Sequence, residues 1–538
     1  MRPLFCLSLL TCLLAACRPP SASTDRAPQL GTISLTVSGD QAAWPAFERG
    51  LLLLHSFEYE DAARAFREAQ QQDPNFALAY WGEAMTHNHP LWRQQDRDSA
   101  RAILARLAPT PAARRAKTTS PLEEDLLQSV EILYGEGSKA ERDQAYADNL
   151  ARLYRKYPES HEVRAFYALA LLGSVNDGRD SEMYGQGAVI AQGILAENPN
   201  HPGALHYLIH AYDDPGHAAQ AVLAADRYAE VAPDASHALH MPSHIYVALG
   251  RWADVVSSNE ASWQASLSRK QRLDLDGDAR GYHAFHWLLY GYLQQGRQAD
   301  AAALLRDMRQ YAHELPSRRT RTHLVLLHST YLTDTGDWIG PEANVSVQTD
   351  DLSLTIRAQH AYVQGRQALV ELDLSAAGKI IARLDSLIAA DRLRIQQAAI
   401  AVCGRYDRRA PTQTSLNVAT VLLHQLRALL ADRLGDPQAA EQWLTRAVAL
   451  EAETSYSYGP PDIVKPSPEL YGEWLMAQRR PAEALEQFDA ALARAPRRRP
   501  TMRGQLAALQ ALGKIEAAEM VEEELTVINE QRPMSSEQ

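Results

Sequence analysis

Half of the chain's histidines crowd into about a sixth of its length. Of 18, nine lie from His201 to His286. Seven of those fall at helical spacings: His206 with His210, His237 with His240 and His244, and His283 with His286. Steps of three and four residues line side chains along one stripe of a helix. Converging neutral imidazoles are good ligands for zinc, copper, nickel or iron, and Asp213 or Asp214, just past His210, can complete a mixed shell. Three such ligands with one open position make a bound water acidic enough for hydrolysis or elimination. The same residues also read as a satisfied polar core, each imidazole hydrogen-bonded to a carbonyl or a tyrosine hydroxyl. Spacing leaves both readings open.

The elements that must carry these residues are helices. Beyond residue 40 the chain is a succession of Ala- and Leu-rich amphipathic segments without a run of alternating β-branched residues, an all-α pattern. Gly50, Ala62, Phe66, Ala69 and Pro74 are followed by Leu78, Trp81, Gly82 and Met85. Pro199 and Pro233 stand 34 residues apart, and Gly472, Leu475, Ala484, Phe488, Ala491 and Pro496 keep the same intervals. Further units fit around Pro158, Gly296, Gly435 and Gly513.

These intervals resemble the tetratricopeptide repeat, a helix-turn-helix unit of about 34 residues. The resemblance implies an α-solenoid, a right-handed superhelix whose units stack because one hairpin cannot bury its own apolar face. In its register His206 and His240 share position 7 with His286, His237 and His283 share position 4, and His210 and His244 share position 11 with Tyr290. Neighbouring helices lie about 8–10 Å apart, so two to four of these imidazoles are expected to converge.

The organisation expected is an export signal at 1–16, a lipidated cysteine and tether at 17–40, an N-terminal array with the histidine-rich units at 41–308, divergent helical repeats at 309–405, a C-terminal array at 406–530 and a tail at 531–538. Breaks or loops are expected at 109–121, 314–323 and 458–468; the last, with Pro460, Pro461, Pro466 and Pro468, cannot be helix interior. It is either a cover over a groove or a spacer between repeat blocks. Arg497, Arg498 and Arg499 after Pro496 read as a solvated turn.

The first residues pair Arg2 with an apolar stretch, Leu4 to Leu14, too short to span a bilayer. Leu14-Ala15-Ala16-Cys17 resembles the bacterial lipobox, which implies lipidation of Cys17, an anchored N-terminus in the cell envelope and, with Arg18 next, sorting to the outer membrane facing the periplasm. Cys6 and Cys12 leave with the signal, so Cys403 has no intramolecular disulfide partner.

Net charge of -12 argues against a nucleic-acid or anionic-membrane surface. His161-Glu162-Val163-Arg164-Ala165 lacks the second histidine of a zinc protease helix, and no Ser-His-Asp elbow, phosphate loop or dinucleotide fingerprint is present. His87 and His89, with Glu83 and Trp92, are expected as helix-end caps. Two functions remain. One is an envelope scaffold holding a protein or peptide in its concave groove, as tetratricopeptide proteins generally do. The other is a metal-binding protein or metal-dependent enzyme holding zinc, copper or iron on the histidine units.

Overall fold

A computed structural model describes residues 28–400, 411–456 and 458–530. The expected signal, Cys17, Cys403 and the tail lie outside the described residues. Helices joined by short turns pack on their sequence neighbours from Trp44–His55, Tyr59–Gln72 and Ala77–Met85 to Pro481–Arg494, Arg499–Ala511 and Ile515–Glu530. Among the described residues the only strands are Asn88–His89 and Gln94–Gln95, a two-residue antiparallel pair. The chain is an all-α solenoid of tetratricopeptide type. No described helix is long and apolar enough to cross a membrane.

The stacking depends on small residues meeting large ones. Phe66 is fully buried between Gly50 and Gly82, and Phe488 between Gly472 and Gly504; a Cβ on any of these glycines would run into the ring. The same interlock at both ends of the chain shows why the repeat holds its spacing: a close-packed interior leaves no room for a shifted register. The stretch 336–353 interrupts it, an irregular connection between Arg318–Thr335 and Leu354–Val370, and this is why the sequence there departs from the repeat intervals.

Three expectations need correction. The segment 109–121 contains a short helix, Pro111–Arg115, because Thr110 caps the Ala113 N–H. The segment 314–323 breaks only at 315–317, since Ser317 caps a new helix beginning at Arg318. Residues 28–39, inside the expected tether, are docked: Thr32 N–H donates to the Asn200 carbonyl at 3.0 Å and Ser38 Oγ to Glu123 at 2.7 Å.

The superhelix curls until its C-terminal part meets the histidine units. Helix Arg499–Ala511 contacts Tyr282–Gln294, and the Trp252 indole N–H donates to the Arg497 carbonyl at 2.9 Å. The turn after Pro496 is therefore not solvated. Arg498 is 0% exposed, held by Asp334, by Glu469 at 2.8 Å and by the Tyr290 hydroxyl at 3.2 Å. Burial opposes its charge, but Asp334 and Glu469 outweigh that and hold the guanidinium well above its usual value.

Candidate metal centre

Three stacked units supply the histidines. His201 caps helix Pro202–Ala211 by accepting the Ala204 N–H at 3.1 Å, and that helix carries His206 and His210. The expected single helix of His237, His240 and His244 is two pieces, Ser236–His240 and Pro242–Ala248, because Pro242 has no N–H to continue the ladder. Met241 keeps right-handed helical angles between them, so the stripe survives. Helix Tyr282–Gln294 adds His283.

Five rings close into a loop. Centroids of His206 and His210 are 4.9 Å apart, His210 and His244 5.2 Å, His244 and His240 5.0 Å, His240 and His237 5.9 Å, and His237 and His206 5.1 Å. His283 joins from outside, 4.6 Å from His240. Two triads result, His206–His210–His237 and His240–His244–His283, each with one ligand nitrogen per residue lying within 4.8 Å of the others.

His286 is not part of the cluster. Its Nε2 pairs with Thr330 Oγ1 at 2.9 Å, since each unit is rotated on the one before and position 7 of the third unit faces the next helix. Asp213 is part of it: His244 Nδ1–H donates to Asp213 Oδ2 at 2.5 Å. Asp214 turns away to Arg179 at 3.2 Å and His217 at 2.8 Å.

The tautomers follow from these partners. His240 Nδ1 faces Asn259 Oδ1 at 2.7 Å, and Asn259 Nδ2 donates to the Val255 carbonyl at 2.7 Å. That second bond fixes the amide so that Oδ1 must accept, and His240 carries its proton on Nδ1. His244 likewise carries its proton on Nδ1, toward Asp213. Their Nε2 atoms face each other at 3.1 Å, a separation that a shared proton or a cation between them would hold. Burial is the chief cause that lowers His210, His237, His240 and His283 well below the usual imidazole value and His206 to about 3. All five are neutral imidazoles at pH 7.

The walls are aromatic. Phe57 packs on His206 at 4.2 Å, Trp92 on His237 at 5.9 Å and Trp287 on His244 at 4.4 Å. The proline-rich segment covers one side: Tyr458 lies 5.4 Å from His244. Gly459, at φ 87°, lies so close to the Trp287 indole that a Cβ would overlap it. On the other side a cavity of about 620 Å³ opens on His237, His240 and His283, with Tyr59, His89 and Trp92 across from them. His89 stacks on Tyr59 at 3.9 Å and bonds the Thr86 carbonyl at 3.1 Å, so it lines the mouth as well as closing a helix end. Glu83 belongs to a separate structural pair with Gln70 and Arg106.

A third buried group carried no sequence signal beyond the failed protease pattern. Glu162 sits between His55 Nε2 at 2.6 Å and His201 Nε2 at 3.2 Å, and His55 Nδ1 meets the Tyr207 hydroxyl at 2.8 Å. Burial works against the carboxylate charge, but the two imidazoles outweigh it and hold Glu162 well below the usual range. Burial keeps His55 itself low. The group is internally satisfied and packs behind His206.

The fold and the cluster define a class: an α-solenoid of tetratricopeptide type with a buried polyhistidine core. No protein-family model matches the chain, and no curated protein matches it by sequence. Among solved structures it is similar to a monomeric mutant of IFIT1 with m7Gppp-AAAA, at 12% identity over 88% of this chain and 95% of that one, TM-score 0.38. It is also similar to the APC/C hetero-tetramer Cut9–Hcn1 (11%, 89% and 78%, TM-score 0.36) and to yeast Tom70 (10%, 90% and 90%, TM-score 0.32). Nothing about site or function rests on likenesses this distant.

Proposed function

We propose that this chain is a transition-metal-binding solenoid tethered in a bacterial envelope through Cys17. One observation carries the metal reading: His240 Nε2 and His244 Nε2 face each other at 3.1 Å in a buried site, with the Nδ1 atoms turned to Asn259 and Asp213. At that distance the two nitrogens need a shared proton or a cation between them, and a metal ion meets the need for every ring of the cluster at once. Ligands about 2.0–2.1 Å from a tetrahedral zinc are about 3.3 Å apart, close to the separation here. The Asn259 and Asp213 contacts are those that orient metal-bound imidazoles and raise their basicity. His283 supplies a third ligand and the cavity an open side.

The test is elemental analysis of a soluble form starting after Cys17, purified without a histidine tag or chelator, beside His240→Ala. A late first-row metal is expected in the wild type and lost from the variant, with the helical circular dichroism unchanged. No metal in the wild type after supplementation would sink the reading. The anchor rests on the Leu14-Ala15-Ala16-Cys17 resemblance alone and is tested by palmitate labelling, which Cys17→Ser should abolish.

One observation favours a protein or peptide partner as well. A second cavity of about 710 Å³, lined by Arg179, Tyr184, Val189, His217 and Tyr456, lies outside the two histidine triads, and Val189 is 65% exposed. A partner docking there should be lost on Val189→Asp with metal content intact.

A further inference from the structure

The other triad is built independently. His206 Nδ1–H donates to the His55 carbonyl at 2.7 Å, which leaves its Nε2 bare. Nε2 of His206, His210 and His237 are all buried, and none has a hydrogen-bond partner. Leaving a buried polar atom unpaired is costly, and here three imidazoles in a row do so with the same atom on the same side. Phe57, at the hairpin turn that Gly250 and Gly296 occupy in later units, packs its ring on His206 at 4.2 Å and closes that side to solvent. The other buried histidines with ordinary roles, His55, His201, His286 and His328, pair the nitrogens that face the protein.

We propose that His206, His210 and His237 hold a second late first-row divalent ion beside the one at His240, His244 and His283, so that the cluster is a binuclear centre. This rests on the metal reading above. The triads adjoin along two edges, His210 to His244 and His237 to His240. Asp213 lies at their seam: one ligand atom each from His210, Asp213 and His244 also falls within 4.8 Å, and Asp213 Oδ1 is buried without a partner. Two divalent ions bring four positive charges into a buried site. Asp213 and the ionised Glu162 behind His206 supply two compensating negative ones. The roughly 620 Å³ cavity touches His237 from one triad and His240 and His283 from the other, so small oxygen donors such as water or hydroxide can reach both ions from one side.

The chain stripped of metal is titrated with Zn(II), desalted and analysed for metal, and titrated in parallel with Co(II) by its visible absorption. Two equivalents are expected for the wild type, one each for His206→Gln and for His244→Gln, and none for the double variant. A wild type saturating at one equivalent overturns the binuclear centre and leaves the single-site reading standing; zero equivalents overturns both. Two equivalents that persist in either single variant also overturn it, since the second ion then binds elsewhere. If a buried variant fails to fold by circular dichroism, His237→Gln and His283→Gln, both half-buried on the cavity wall, replace the pair. Proximity is read from Cu(II) resonance: dipolar broadening is expected in the doubly loaded wild type and not in the singly loaded variants. Two sharp additive spectra would overturn the shared centre.

Discussion

Two buried polar clusters lie in one superhelix and differ in whether they close on themselves. Around Arg498 every charge meets its opposite: Asp334 and Glu469 hold the guanidinium, and Lys465 Nζ bonds Glu469 at 2.6 Å and Glu473 at 2.5 Å. Thr501 adds a hydroxyl to Glu469. Burial disfavours the Glu469 charge, yet Arg498 and Lys465 more than offset it and lower the carboxyl to about 2. The histidine loop has the opposite character. The outward nitrogens of His240, His244 and His206 are satisfied by Asn259, Asp213 and the His55 carbonyl, while the inward nitrogens of His240 and His244 confront each other and those of His206, His210 and His237 have no hydrogen-bond partner. The first cluster is complete as protein and fastens the C-terminal turn onto the histidine units. The second, on the proposal above, is completed by cations. Burial and polarity are shared by both, so neither property alone marks a ligand site; what distinguishes them is where the unpaired atoms point.

The comparison breaks most readily at Arg498. Arg498→Met leaves Asp334 buried without its cation and Glu469 with Lys465 as its one remaining cation, and should cost about 3–5 kcal/mol in chemical denaturation. His244→Gln in metal-free protein should cost no more than about 1–3 kcal/mol, mainly from the orphaned Asp213. Equal costs would mean that the histidines are as structural as the arginine. Metal should then reverse the ranking of the two sites: zinc at about a thousand times its dissociation constant should add about 4 kcal/mol to the unfolding free energy of the wild type. A chelator should remove that gain, and His240→Gln should never show it.

Acid separates the clusters next. The folded state holds His206 and His286 at about 3, whereas an unfolded histidine takes its proton near 6.5. Their contribution is therefore whole above about pH 6.5 and is lost as pH falls from there toward 3, about 1.4 kcal/mol per group by pH 5.5. Glu469, lowered to about 2, loses nothing until the pH falls below about 5. Denaturation midpoints of metal-free protein should fall from pH 7 to 5, and less so in His286→Asn. A flat profile would contradict burial as neutral imidazoles. The smallest effect sharpens position against register: at pH 7 His286→Asn should cost about 1 kcal/mol, the Thr330 bond, and keep the full metal content, although His286 shares its repeat position with His206 and His240.

The repeat itself was legible because it is local. Gly50, Phe66 and Gly82, or Gly472, Phe488 and Gly504, interlock within adjacent hairpins, so their spacing in sequence is their spacing in space. The same holds for the stripes within one helix, and His206, His210, His237, His240, His244 and His283 were all visible for that reason. His286 was misplaced because a shared register ignores the rotation accumulated from unit to unit. Arg498 was misplaced because nothing near it in sequence tells that the superhelix closes 164 residues away on Asp334. Asp213 could be named but not chosen over Asp214, since one peptide bond separates a carboxylate aimed at His244 from one aimed at Arg179.

By itself, then, the sequence determined the helical hairpins, their period and the supply of imidazoles, all consequences of contacts within about 34 residues. Only the tertiary structure decided how many rings meet, which nitrogens carry protons and which remain bare. Those depend on Asn259, Asp213 and the His55 carbonyl, partners brought in by the stacking of whole units. A tautomer is fixed by the hydrogen bond at the far side of the ring, and no spacing along the chain encodes that bond.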